Sequence, residues 1–186
     1  MKVLLHTCCA PCSLSCIGPL QNEGLEVELF WFNPNIHPYT EYKSRRDCLL
    51  NYAEEIGLTV RIKENYGLRE FVKAVADDID NRCKYCYYIR MYETAKFARE
   101  NGYDAFTTTL LCSLYQDHEG IKATGERLAK EFGVKFLYRD FRPNFRDCNN
   151  LAREKRFYMQ KYCGCIFSEE DRYQKQILKD KERLTN

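Results

Sequence analysis

Apolar positions along this chain come in short blocks separated by longer stretches with helical spacing, and that alternation predicts a succession of strands and helices. Residues 2–7 form a short apolar run consistent with a buried strand. Pro11 suits the first turn of a following helix, where its missing N–H costs nothing, and that helix is expected to end near Gly24. LEVELFWFN, residues 25–33, alternates partly and is rich in branched and aromatic side chains, which predicts a second strand; residues 33–38 read as a loop. From Thr40, a possible N-cap, the spacing turns helical, with Leu49, Leu50, Ala53 and Ile56 on one face and Gly57 as the stop.

A third strand is expected at residues 58–62, a helix at 68–75, a break in the acidic DDID stretch, and a longer helix over 83–100 that ends at Gly102. Residues 105–111, AFTTTLL, predict the fourth strand. A helix over 118–132 closing at Gly133 and a fifth strand over 134–141 follow, and the remainder is helical and polar, interrupted around 162–167. Strands alternating with helices predict an α/β fold: a doubly wound, mainly parallel five-stranded sheet with helices on both faces, Rossmann-like or of HUP type, forming a single domain over residues 1–186. In such sheets, sites lie outside the carboxyl ends of the strands where strand order reverses. Cys8 and Cys9, directly after the first strand, fall at that place, beside a helix N-terminus that favours thiolate.

Composition sharpens this picture. Hydrophobic residues make up 45% and charged residues 30% of the 186, as in ordinary globular proteins. Lys2 is followed by only three apolar residues before polar ones intervene, which fits neither a signal peptide nor a membrane span and leads us to expect a cytoplasmic protein. In that reducing compartment eleven cysteines point to metal ligation or redox catalysis rather than to a disulfide framework. The segment after the first strand carries cysteines and a proline where a phosphate-binding loop needs glycines, which argues against ATP use.

Six of the eleven cysteines fall into three close pairs, Cys8 and Cys9, Cys83 and Cys86, and Cys163 and Cys165. Cys83 and Cys86 lie three apart on one helix face, with Arg90 four residues further on the same side, a common metal-ligand spacing whose plainer reading is two semi-buried thiols. With Cys8 and Cys9 they supply the four thiolates that a [4Fe–4S] cluster or a structural zinc requires, and the strand-end location favours the cluster. Cys163 and Cys165 could close only a small, strained and easily reduced disulfide ring, which suits a redox relay better than a staple; the plainer reading is a tight turn with two idle thiols. Cys12 leans toward function because it lies one turn from Cys8, whereas Cys16, Cys48, Cys112 and Cys148 are expected to pack in the core. Cys9 to Cys12, CAPC, also matches the Cys-x-Pro-Cys of thiol-disulfide oxidoreductases. His6 and His118 have no partner at ligand spacing, and His37 is either a capping residue or a substrate contact.

A net charge of +2 does not mark a nucleic-acid binder by itself. Cations interleave with aromatic residues in YKSRR (42–46), YRDFRPNFR (138–146) and REKRFYMQKYC (153–163), a combination suited to phosphates and unpaired bases of single-stranded RNA. The C-terminal run 175–183 is better explained as a solvated helix face.

With the cysteine pairs, NPNIHPYTEYKSR, FTTTLL and YCGCIFS in view, the chain resembles the epoxyqueuosine reductases of the QueH type from the first strand to Ser168. The resemblance implies a cytoplasmic enzyme that acts on tRNA, reducing epoxyqueuosine at the wobble position to queuosine with electrons from an external donor. It implies a [4Fe–4S] cluster on Cys8, Cys9, Cys83 and Cys86, a redox-active pair at Cys163 and Cys165, and an additional mononuclear iron for which Cys12 and an acidic residue such as Asp117 or Asp140 are candidate ligands. One local departure is Leu114 after Ser113, where the family pattern has proline. Two other readings stay open: a thioredoxin-like oxidoreductase using Cys9 and Cys12, and a zinc-stabilised RNA-binding protein.

Overall fold

The structure, a computed structural model, describes residues 1–185; Asn186, the last residue of the expected domain, lies outside the described residues. Twelve elements carry the fold: β1 (Lys2–His6), α1 (Ala10–Asn22), β2 (Glu26–Trp31), α2 (Tyr39–Glu55), β3 (Val60–Ile62), α3 (Leu68–Val75), α4 (Arg82–Glu100), β4 (Ala105–Thr108), α5 (His118–Phe132), β5 (Lys135–Phe136), α6 (Phe145–Glu154) and α7 (Ile166–Thr185). The strands form one sheet in the order β3-β2-β1-β4-β5, and every pairing is parallel. The chain winds from β1 outward to β3, returns through α3 and α4, and winds outward again from β4 to β5. Right-handed crossovers in opposite directions place helices on opposite faces: α1, α2 and α6 pack together on one, α4 against α5 on the other. The strand order therefore reverses between β1 and β4, the point at whose carboxyl ends open α/β sheets form their crevice.

Because β1 is central and covered on both faces, Val3, Leu4 and Leu5 are all fully buried, which is why that strand is continuously apolar rather than alternating. The core extends through Leu29, Phe30, Trp31 and Phe106, with Phe30 stacked on Phe97 at 4.9 Å and Phe106 against Phe136 at 5.3 Å between ring centres.

Several boundaries differ from the sequence expectation, each for a local reason. The second helix starts at Tyr39 behind an extended Pro38, so Thr40 lies in its first turn and is not the N-cap. The fourth strand stops at Thr108, whose hydroxyl accepts from the Leu110 amide at 3.2 Å and starts a 3-10 turn over Thr109–Cys112; the local side-chain bond displaces the ladder. The fifth strand shrinks to Lys135–Phe136 because it is an edge paired only with β4, and β3 to Val60–Ile62 for the same reason on the other edge. The C-terminal helix breaks after Glu154, and residues 155–165 cross the protein without regular structure before α7. The loop at 33–38 is not a surface loop: Asn33, Pro34, Asn35, Ile36 and His37 are buried.

At Glu28 the burial of the carboxylate is outweighed by bonds from Lys2 Nζ (2.8 Å), Arg61 Nε (2.8 Å) and the Tyr103 hydroxyl (2.7 Å), which bring its pKa down to about 2. A carboxyl depressed in the folded state gives stability that is present above its unfolded value near 4.5 and is lost as pH falls toward 2. Chemical denaturation at pH 6 and pH 3 is expected to show a loss on acidification that is smaller by about 2 kcal/mol in Glu28→Gln; equal losses in both proteins would remove Glu28 from that role.

Candidate metal and redox site

The loop after β1 delivers two thiols to the crevice. Thr7 still donates to the Phe30 carbonyl at 2.9 Å, and the chain then turns toward β4: the Cys8 amide donates to Thr109 Oγ1 (3.2 Å) and that hydroxyl donates back to Cys8 Sγ (3.4 Å). Cys9 occupies the N-cap of α1, its sulfur accepting from the Cys12 amide at 3.4 Å in the place of the usual Ser or Asp oxygen. The sulfurs of Cys8, Cys9 and Cys12 all lie within 4.8 Å of one another. Bonds from Cys12, Cys9 and Thr109 hold the Cys8 thiol well below its ordinary pKa, while burial pushes Cys9 up, so the group favours one thiolate centred on Cys8. Behind it, Cys112 and Cys16 are fully buried as expected, whereas Cys48 and Cys148 are only half-buried.

A second set of thiols comes from α4 and the C-terminal segment. Cys83 is exposed in the first turn of α4, and Cys86 is buried in an apolar nucleus with Phe71, Val75 and Cys165. Burial pushes the Cys86 thiol up to about 12, against the pull of Arg90, which donates to its sulfur at 2.9 Å and to its carbonyl at 3.0 Å. Arg90 is itself buried, which opposes its charge, and its sulfur contact is with Cys86. Arg90 thus bonds a thiol of the second set, and Cys83 and Cys86 stand outside the 4.8 Å group of Cys8, Cys9 and Cys12.

The irregular 155–165 segment is fastened over the crevice. Arg45, 1% exposed, pairs with Glu41 at 2.7 Å and donates to the carbonyls of Cys163 (2.8 Å) and Tyr162 (3.0 Å). Glu41 also accepts from the Tyr158 hydroxyl, Tyr162 OH donates to the His37 carbonyl (2.6 Å), and the His37 amide donates to Gly164 O (2.8 Å). Gly164 takes φ +152° and lies so close to Ile36 and Arg45 that a Cβ would stand 3.3 and 3.4 Å from them, which explains a glycine between Cys163 and Cys165. Cys163 is exposed, Cys165 buried, and all eleven cysteines are free thiols. Two glutamines complete the sulfur contacts: Gln160 Nε2 donates to Cys9 (3.2 Å) and more weakly to Cys12 (3.8 Å), and Gln116 Nε2 donates to Cys163 (3.0 Å). The Gln160 carbonyl oxygen is buried without a partner.

The remaining candidates fall elsewhere. His6 bridges Thr108 and the Phe32 carbonyl, and burial lowers its pKa to about 4; His37 bonds Pro34 O and His118 bonds Tyr138 OH. Asp117 caps α5, and Asp140 is clasped by Arg142, which lowers its pKa to about 2; neither joins the thiol group. The cations of YKSRR pair with Asp47, Glu41 and Glu64, Arg139 with Glu23, Arg142 with Asp140 and Lys155 with Glu55, whereas Arg146, Arg153, Arg156 and Lys161 make no ion pair among the described residues. The 175–183 run lies on α7, which has no buried residue, as a solvated face requires.

A family model described as "Epoxyqueuosine reductase QueH" matches residues 3–171. The chain belongs to the QueH family. Curated members include the epoxyqueuosine reductase QueH of Dehalococcoides mccartyi, 37% identical over 94% of this chain and 96% of the relative, and that of Thermotoga maritima, 35% identical over 93% of each. Among solved structures, a predicted subunit of tRNA methyltransferase from Methanocaldococcus jannaschii aligns with a TM-score of 0.55 at 15% identity over 98% of this chain and 88% of that one, a likeness of fold alone. The QueH match spans all three cysteine pairs and ends within α7. Within this QueH-family chain the CAPC segment departs from a thioredoxin-type pair: Cys9, the first cysteine, is 1% exposed with its pKa raised by burial, whereas an attacking thiol is accessible and low in pKa. Among the described residues no helix is long and apolar enough to cross a membrane.

Proposed function

We propose that this chain reduces epoxyqueuosine at the wobble position of tRNA to queuosine, using a [4Fe–4S] cluster held by Cys8, Cys9, Cys83 and Cys86. The observation that carries the reading is the group of three sulfurs, Cys8, Cys9 and Cys12, within 4.8 Å of one another after β1 of a QueH-family chain; on α4 the buried Arg90 donates to Cys86 Sγ. That donor set fits a cluster: it is sulfur only, largely enclosed and partly neutralised by cation and amide donors. Cys12, the third sulfur of the tight group, is the residue we assign to an additional iron. A bound cluster supplies electrons one at a time from an external donor.

The chain's own residues supply the rest. Loss of the epoxide oxygen as water needs two electrons and two protons, and oxidation of the Cys163 and Cys165 dithiol to a disulfide releases two of each, so epoxide plus dithiol gives alkene, water and disulfide in balance. Gln116 holds the exposed Cys163 sulfur, Arg45 fixes the carbonyls around it, and the unpaired Gln160 oxygen offers a buried acceptor to a donor on the substrate.

Anaerobic purification with a visible spectrum and iron and sulfide analysis, followed by incubation with tRNA bearing epoxyqueuosine, tests the proposal. Brown protein containing iron and sulfide that forms queuosine is expected. Colourless, zinc-containing protein without turnover would favour an RNA-binding module, and metal-independent reduction of insulin disulfides that depends on Cys9 and Cys12 would favour a thioredoxin-like activity. Binding to an anticodon stem–loop should weaken steeply between 50 and 200 mM salt, on the order of tenfold or more for a few phosphate contacts.

A further inference from the structure

The turn between β4 and α5 is anchored on both sides of an outward-facing pair. At its start, Ser113 Oγ accepts from the Tyr115 amide at 3.2 Å. At its end, the Asp117 amide donates to the hydroxyl of Tyr87 on α4 at 3.1 Å, while the Asp117 carboxylate caps α5 by accepting from the Gly120 amide at 3.0 Å. Between them Gln116 points inward and donates to Cys163 Sγ. Leu114 and Tyr115 point the other way: Leu114 is 55% exposed, and Tyr115, at 88%, is the most exposed large hydrophobic side chain among the described residues. A tyrosine left in water next to the residue that touches the exposed redox thiol, on a turn held at both ends, gains nothing for the fold.

We propose that Tyr115, flanked by Leu114, is the stacking platform for an unpaired nucleobase beside the nucleotide being reduced. The inference rests on the tRNA reading above and adds a contact to it. Three considerations select a base as the occupant. The nucleotides of an anticodon loop are unpaired and present π-faces, which aromatic side chains bind without regard to sequence. Six cations of the interleaved runs are paired with carboxylates, and cations that do reach phosphates hold the backbone without seating a base, which leaves that task to an aromatic face. The platform is one residue from Gln116, so a base seated on it brings its neighbour to Cys163. A protein partner would need a broader apolar surface than these two side chains provide.

The geometry supplies its own reporter. Trp31, the single tryptophan, is fully buried and donates to Tyr42 OH at 2.9 Å, so its emission is shielded from ligands at the surface. Tyr115→Trp adds an exposed indole at a position too exposed to disturb folding. Titration with an anticodon stem–loop RNA is expected to quench its emission saturably, and the paired stem without its loop is expected not to. By anisotropy with the same RNA, Tyr115→Phe should keep wild-type affinity and Tyr115→Ala should lose about tenfold, with melting temperature and the spectrum of the anaerobically purified protein unchanged. Wild-type affinity in Tyr115→Ala, or equal quenching by the paired stem, would overturn the stacking role while leaving the tRNA reading in place. If the wild-type protein does not bind the stem–loop at all, both are overturned.

Discussion

Cys83→Ala, purified anaerobically, is expected to emerge with little or no brown colour and to form no queuosine, a loss of at least two orders of magnitude in turnover. Of the ligands we propose, Cys83 is the informative one to remove because its side chain is exposed in the first turn of α4, so the variant should fold and any lost iron would report ligation. The same change at Cys86 would also open a cavity beside Phe71 and Val75 and leave Arg90 buried without its sulfur partner, mixing stability with ligation. Full iron and sulfide in Cys83→Ala would remove Cys83 from the ligand set. Cys163→Ser makes the contrast: the protein should keep its colour and lose multiple-turnover activity, and unchanged activity with a physiological reductant would end the relay assignment.

Arg45→Met carries the second large effect. Removing one partner of a buried ion pair strands the other, here Glu41, and deprives the carbonyls of Tyr162 and Cys163 of their donors. The cost is about 3–5 kcal/mol, or a fall of roughly 10 °C in melting temperature for a chain of this size. Adding Glu41→Leu should restore much of the melting temperature, because a buried pair replaced by apolar groups is often neutral. It should not restore the position of the Cys163 segment, whose alkylation by iodoacetamide should stay faster than in the wild type. A double variant with wild-type alkylation and turnover would show that Arg45 acts only on stability.

The doubly wound sheet was legible because it rests on strong local signals: a continuous apolar β1, glycines at helix ends and branched residues in β4. The edges of the sheet were not, since the lengths of β3 and β5 depend on how far one neighbour extends, which no local pattern encodes. At the site, the cysteine pairs could be read from spacing, and the Glu41–Arg45 pair was present as an i,i+4 couple on α2. What that couple holds, two carbonyls well over a hundred residues away, could not be seen. Gln160 and Gln116 carried no signal at all: each sits in irregular backbone, and its meaning comes only from the sulfur it meets. Which of the interleaved cations are engaged internally could be read only in part: Glu41, Asp47 and Asp140 lie in or directly beside the same runs as their cations, whereas Glu23, Glu55 and Glu64 come from elsewhere in the chain.

The crevice is walled by residues 8–12 from one end of the chain and by 160–165 from nearly the other, joined through Gln160 to Cys9 and through His37 to Gly164. A ribosome therefore releases the first thiols long before the segment that roofs them exists. During that interval Cys8, Cys9 and Cys12 stand unshielded, open to adventitious metals and oxidants. Synthesis of residues 160–165, rather than formation of the β1–α1 unit, is the moment at which this site acquires its enclosure, and a product ending before residue 160 would display the thiols without ever closing over them.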